Sequence, residues 1–268
     1  MMIVAQITDL HVRAAGADHR KYNTNASLEH IVEALNARET QPDVILATGD
    51  LGNVGAHGEY EAAKDILDRL KAPYYIIPGN HDARGPLLDV FHDHAYMRTD
   101  NGFIQYTIED HPMRLIGLDT LEDGKTNGTL CDDRLAWLQD RLEERRDRPT
   151  LVFMHHPPFG VSMNAGKVAQ FRQIIEQHPQ VERVIAGHIH RVISTRFAGT
   201  MATVSPSTCY AFSFAPPKPG EGLQQSDEPP GYTLHIWRPE MGLATHTVLV
   251  PAAGDAGRAH LADEGMVG

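Results

Sequence analysis

Five short motifs occur in a fixed order along this chain: Asp9-x-His11, Gly49-Asp50, Gly79-Asn80-His81-Asp82, His155-His156 and Gly187-His188-x-His190. Mixed oxygen and imidazole ligation of this kind suits manganese, iron, zinc or cobalt. A carboxylate has two oxygens, so one side chain can bridge two cations ~3.5–4 Å apart, and Asp50 is the expected bridge. Asn80 would offer a neutral amide oxygen to the second ion, while His81, adjacent but aimed elsewhere, would reach the substrate. Alternation along His188-Ile189-His190 puts both imidazoles on one face, so each can serve a different ion.

Two divalent ions carry four positive charges against the three negatives of Asp9, Asp50 and a bridging hydroxide, which leaves a net positive centre that attracts a phosphate anion. Paired ions lower the pKa of bound water toward neutrality and neutralise phosphoryl oxygens during in-line attack. A poor alkoxide leaving group still needs a proton, and His81 is the residue placed to supply it. Arg191 is the cation directly beyond the last motif, and no Arg or Lys lies inside one. A diester monoanion is therefore the expected substrate, ahead of a dianionic monoester.

Each motif closes a short apolar run: Ile3 to Thr8, Val44 to Thr48, Tyr74 to Pro78, Leu151 to Met154 and Val181 to Ala186. Continuous apolarity over this length predicts strands covered on both faces. Between them, residues 25–38, 58–71 and 132–146 repeat their apolar positions every three or four residues, the helical period. Strand, helix, strand in succession implies a largely parallel sheet whose carboxyl ends share one rim, where ligand sites form. Two hairpins, Phe103 to Glu109 with Met113 to Leu118 and His190 to Phe197 with Met201 to Val204, predict antiparallel strands in a second sheet. Tyr232 to Trp237 and Leu243 to Val250 form a last pair.

The 205–231 stretch holds six prolines, which forbid a helix or a central strand there. It is expected to be a lid or a dimer-forming segment of one domain spanning 1–250, with 251–268 a flexible tail. At 268 residues the chain buries enough surface to need no structural metal or disulfide. Cys131 and Cys209 are read as unpaired thiols, with an intersubunit bridge as the alternative. A formal charge of -11 excludes long nucleic acid as a partner. No apolar stretch approaches the ~20 residues of a membrane span. The first residues read directly as a strand and not as a secretory leader, so a cytoplasmic location is expected.

The five motifs together resemble the calcineurin-like metallophosphoesterase superfamily, and within it the bacterial class III cyclic nucleotide phosphodiesterases and the glycerophosphodiesterases. The resemblance extends from about Ile3 to Trp237 and includes Met154-His155-His156-Pro157-Pro158 and Pro206-Ser207-Thr208-Cys209. It implies an α/β fold of two mixed β-sheets packed as a sandwich and flanked by helices in four layers. It further implies that Asp9, His11, Asp50 and His190 hold one ion, that Asp50, Asn80, His156 and His188 hold the other, and that His81 is the catalytic non-ligand histidine. His155 is expected on the opposite face of the strand end.

Asn53 either hydrogen-bonds a substrate oxygen, as in the glycerophosphodiesterases, or forms a turn with Gly52. Asp82 either orients an imidazole or caps a helix before Ala83. Phe159 and Tyr210 are expected to contact a substrate base. Cyclic nucleotides are the first expected substrate and glycerophosphodiesters the second. An inactive metal-binding scaffold would have lost a ligand or the catalytic histidine, and all are present.

Overall fold

Continuously apolar segments become the centres of two sheets. The computed structural model describes residues 1–18, 22–99, 101–215 and 222–251. The first sheet contains β1 (Met2–Ile7), β2 (Val44–Thr48), β3 (Tyr74–Ile77), β12 (Gly231–Arg238) and β13 (Gly242–Leu249), in the order β13-β12-β1-β2-β3. Here β1, β2 and β3 run parallel, whereas β12 pairs antiparallel with both β1 and β13.

The second sheet orders β4 (Tyr106–Ile108), β5 (Arg114–Leu118), β6 (Thr150–Met154), β7 (Val181–Ala186), β9 (Thr200–Val204) and β8 (Ile193–Phe197) as β4-β5-β6-β7-β9-β8. Both expected hairpins lie in it, as antiparallel β4–β5 and β8–β9. The β8–β9 turn places Ala198 and Gly199 at φ 51° and 83°. Positive φ at both central residues is what a tight hairpin matching strand twist requires.

Side-chain alternation divides the second sheet between two cores. Leu115, Leu151, Phe153 and Ile185 face inward and join the first sheet and its helices in one apolar cluster. Their neighbours Ile116, Val152, Met154 and Val184 face outward. Helices α1 (Thr24–Asn36), α2 (His57–Leu67) and α3 (Arg84–Val90) cover the first sheet, and α4 (Asp132–Glu144) and α5 (Ala165–Glu176) cover the second. The order of layers is helix, sheet, sheet, helix, as the resemblance implied.

The exposed edge of β3 is closed by side chains: Ile76 N–H donates to Tyr96 Oη (3.0 Å), and Tyr106 Oη–H donates to Ile76 O (2.6 Å). Unpaired edge groups would otherwise template strand addition.

A buried polar chain stitches the sheets together. Gln6 Nε2 donates to Thr48 Oγ1 and Ala186 O (both 2.9 Å), and His235 Nε2 lies 3.1 Å from Gln6 Oε1. Among the described residues, the proline-rich segment contributes only the two-residue strands β10 (Ala211–Phe212) and β11 (Gln225–Ser226), paired with each other. No helix among the described residues is long and apolar enough to cross a membrane. The expected tail lies, from 252 onward, outside the described residues.

Candidate metal centre

The loops that leave β1, β2, β3, β6 and β7 meet where the carboxyl ends of the two sheets converge. Gly187 N–H donates to His155 O (2.9 Å), and Thr208 N–H donates to Thr8 O (3.1 Å), so loops from different strands are fastened directly to one another. Asp9, His11, Asp50, His188 and His190 all adopt left-handed backbone, with φ between 47° and 72°. This conformation costs a non-glycine residue free energy and collects at functional sites. Glycines allow the close approach: a Cβ on Gly79 would overlap the Asp50 carboxylate and lie 2.8 Å from His155 Nε2, and one on Gly187 would overlap Thr8 Oγ1.

Four overlapping sets of donor atoms result, each within 4.8 Å: Asp9, His11, His190; His11, Asp50, His81; Asp9, Asp50, His155; and His155, His156, His188. On one side His11 Nε2 lies 3.1 Å from His190 Nε2 and 3.7 Å from Asp50 Oδ2, and His190 Nε2 lies 3.5 Å from Asp9 Oδ1. On the other, Asn80 Oδ1 lies 2.9 Å from His188 Nδ1 and 3.2 Å from His155 Nε2, which is itself 3.3 Å from Asp50 Oδ2.

His155 therefore faces into the cluster, against the expectation that it lies on the opposite face. Its Nδ1–H donates to Thr48 O (2.8 Å), which aims Nε2 at Asp50 and Asn80. His156 is spent elsewhere: its Nδ1 accepts from Thr120 Oγ1 (2.8 Å) and its Nε2–H donates to Thr126 O (3.1 Å). The chain bends immediately after β6, so strand alternation does not carry through to the pair.

Two further imidazoles are oriented by main-chain oxygens. His190 Nδ1–H donates to Tyr210 O (2.9 Å) and His81 Nδ1–H to Asn53 O (2.7 Å). Orientation of ligand imidazoles by outer hydrogen bonds is characteristic of metal sites. Asn53 donates its main-chain N–H to Val12 O (3.1 Å) and Glu59 Oε2 (3.0 Å).

Asp82 neither caps a helix nor touches an imidazole. It accepts N–H from Leu51 (3.1 Å), Gly52 (3.0 Å) and Gly79 (2.8 Å), binding the Asp50 loop to the Asn80–His81 loop.

Burial governs the charges. Desolvation raises the Asp9 carboxyl and holds His11 well below the usual imidazole range. It also pushes His188 down to about 3. For Asp50, burial is outweighed by the charge and hydrogen bond of His155, and its carboxyl stays well below the usual range. The same attraction overcomes desolvation at His155 and raises it to about 9. Asp50 thus calls for a cation while His11 and His188 stay neutral with lone pairs to give, and buried His11 Nδ1 has no partner among the described residues. Such donors fit divalent transition metals.

An aromatic wall, of which sequence reasoning named only Tyr210, flanks the His11 side. The Tyr210 ring lies 4.8 Å from His190 and 5.9 Å from His11, with Tyr22 at 5.5 Å and Phe212 at 5.6 Å. Phe159 instead packs against the outer core. Cys209 is buried, with Sγ–H donating to Asp9 O (3.2 Å), a position closed to an intersubunit bridge.

The model of the calcineurin-like phosphoesterase family matches residues 2–192. The chain is 32% identical over 256 residues to the probable glycerophosphodiester phosphodiesterase GpdQ of Arcobacter nitrofigilis, covering 92% of each chain. It is 28% identical to the 3',5'-cyclic adenosine monophosphate phosphodiesterase CpdA of Escherichia coli, covering 78% of this chain and 77% of the relative. A dimetal phosphatase from Danio rerio shares the fold at a TM-score of 0.64 and 14% identity, over 93% of this chain and 99% of that one.

The chain belongs to the calcineurin-like phosphoesterase family, whose members use a binuclear divalent metal centre. It is a metal-dependent hydrolase of phosphoric esters.

Proposed function

We propose that this enzyme is a metal-dependent phosphodiesterase acting on small diesters, with Asp9, His11, Asp50 and His190 holding one ion and Asp50, Asn80, His155 and His188 holding the other. His155 replaces His156 in the ligand set because its Nε2 faces Asp50 and Asn80. Bound there, a pair of divalent ions would acidify water and screen the phosphoryl oxygens. His81 is exposed, and with Nδ1–H held by Asn53 O its Nε2 is the ring nitrogen left to meet substrate. In the protonated state this nitrogen delivers a proton to the departing alkoxide oxygen.

One observation carries the preference for a diester. Of the three arginines within two residues of a motif, Arg84 and Arg191 are spent on carboxylates, Arg84 on Asp119 (2.7 and 2.8 Å) and Arg191 on Glu228 (2.8 and 3.0 Å), while Arg13 donates from Nη1 to the main chain of Asp18 (3.4 Å). Neither Arg84 nor Arg191 is left to balance the second charge of a monoester dianion.

Among diesters, glycerophosphodiesters are the first reading, supported by the likeness to the Arcobacter relative along 92% of both chains. This reverses the order expected from sequence. Cyclic nucleotides are the second reading, favoured by the Tyr22–Tyr210–Phe212 wall, which offers aromatic faces to a base.

Turnover by manganese-loaded protein across glycerophosphocholine, cyclic AMP, bis-p-nitrophenyl phosphate and p-nitrophenyl phosphate tests the proposal. Diesters should outrun the monoester; a preference for the monoester, or inertness toward every diester, overturns it.

A further inference from the structure

His156 lies in the family motif, is fully buried, and has ring centroids only 4.8 Å from His155 and 4.7 Å from His188. Both its nitrogens are nevertheless committed to one loop. A carbonyl can only accept, so the 3.1 Å contact with Thr126 O requires the proton on Nε2. Nδ1 then offers its lone pair to the Thr120 hydroxyl at 2.8 Å, and Thr120 Oγ1 accepts in return from His156 N–H at 3.3 Å. This arrangement leaves no lone pair for an ion.

The loop gripped in this way runs from Asp119 to Thr129. Its base is rigid: Asp119 is buried, accepts N–H from Ile104 (3.0 Å) and Leu121 (3.0 Å), and is held by Arg84, while Thr129 N–H donates to Thr120 O (3.0 Å). Gly128 packs on the His156 ring so closely that a Cβ would overlap it, and Gly128 N–H donates to Ser162 O (2.8 Å), which ties in the loop after β6. The tip, residues 122–127, is exposed. The imidazole of His156 joins this tip to the metal-binding loops through the Thr126 carbonyl, beside the ion pair of Arg84 Nη1 with Asp123 Oδ1 (3.0 Å).

Building on the diesterase reading above, we infer that His156 is a positioning residue: it fixes the 119–129 loop as the wall of the site on the Asn80–His188 side. That wall contacts the organic group of the diester and helps select it. Loss of the grip should leave the metals and the chemistry in place while loosening the fit of a substrate with a long organic group.

The test compares manganese-loaded wild-type enzyme with His156→Ala, His156→Gln, Thr120→Val and His155→Ala. Metal content per chain, kcat and KM for glycerophosphocholine and for bis-p-nitrophenyl phosphate, and tryptic cleavage after Lys125 are measured. His156→Ala and Thr120→Val should keep both ions, raise KM for glycerophosphocholine about tenfold with little change in kcat, and speed cleavage at Lys125. His156→Gln, whose amide can donate to Thr126 O and accept from Thr120, should recover most of the loss. His155→Ala should lose an ion.

An ion lost from His156→Ala, an equal KM increase for both diesters, or unchanged cleavage at Lys125 overturns the inference. Thr120→Val decides the case where His156→Ala does not fold. If no diester is turned over, the diesterase reading fails by itself, while metal content and cleavage still judge the role of His156.

Discussion

Replacing His81 with alanine should separate proton transfer from metal binding. The His81 ring meets the protein at two places: Nδ1–H donates to Asn53 O at 2.7 Å, and its centroid lies 4.7 Å from that of the His11 ring, edge to face. Its link to the Asp50 carboxylate is through the main chain, N–H to Asp50 Oδ1 at 2.9 Å, which alanine retains. Asp50 should therefore keep its orientation and both ions should stay. What disappears is a positioned general acid, a loss of about 10²–10⁴ in rate, or about 2.7–5.4 kcal/mol at 1.36 kcal/mol per decade.

The size of that loss should depend on the leaving group. An alkoxide needs the proton, so glycerophosphocholine should suffer the full penalty. A p-nitrophenolate leaves as an anion, so bis-p-nitrophenyl phosphate should lose about tenfold or less. Steady-state kcat for both substrates, with metal content from the same preparations, decides the matter. Equal losses for the two leaving groups would refute the acid role, and loss of an ion would show that His81 supports the metals instead.

Asp82→Ala should act at a distance from the chemistry. Three buried N–H groups, on Leu51, Gly52 and Gly79, lose their acceptor, for a net destabilisation of about 2–4 kcal/mol after relief of the carboxylate's own burial. Metal affinity should fall about 10–100-fold as the Asp50 and Asn80 loops loosen; calorimetric titration with manganese and denaturant melts measure both. At His235, burial, assisted by Arg183, depresses the imidazole from 6.5 to about 3. The unfolded chain then takes up a proton that the fold refuses, so this stability is complete above pH 6.5 and lost as pH falls toward 3, about 2 kcal/mol of it by pH 5. Denaturant melts of chelator-treated protein at pH 7.5 and 5 should show a smaller acid loss in His235→Gln than in wild type; equal losses would assign the acid sensitivity to other groups.

Much of the frame was legible in the chain itself. Short apolar runs ending in Asp or His marked the strands and the rim they share, because burial on both faces leaves no polar positions until the strand ends. Helix α3 was hidden by Gly85 and Pro86 within seven residues. Helix α5 was missed although Val168, Phe171, Ile174 and Ile175 carry the helical period and Asn164 accepts N–H from Gly166 and Lys167 as an N-cap.

Sequence by itself determined which kinds of donor atom gather, and in what order along the chain. Tertiary structure decided which atoms face inward: His155 and His156 are adjacent and chemically identical, and the two differ only in what the folded loops bring to them, Thr48 O and Asp50 for one, Thr120 and Thr126 for the other. The same holds for Asp82 and for the aromatic wall, whose partners come from loops far apart in sequence. Local pattern reports the environment a residue carries with it, whereas hydrogen bonds between loops exist only once two sheets have packed and set their ends side by side.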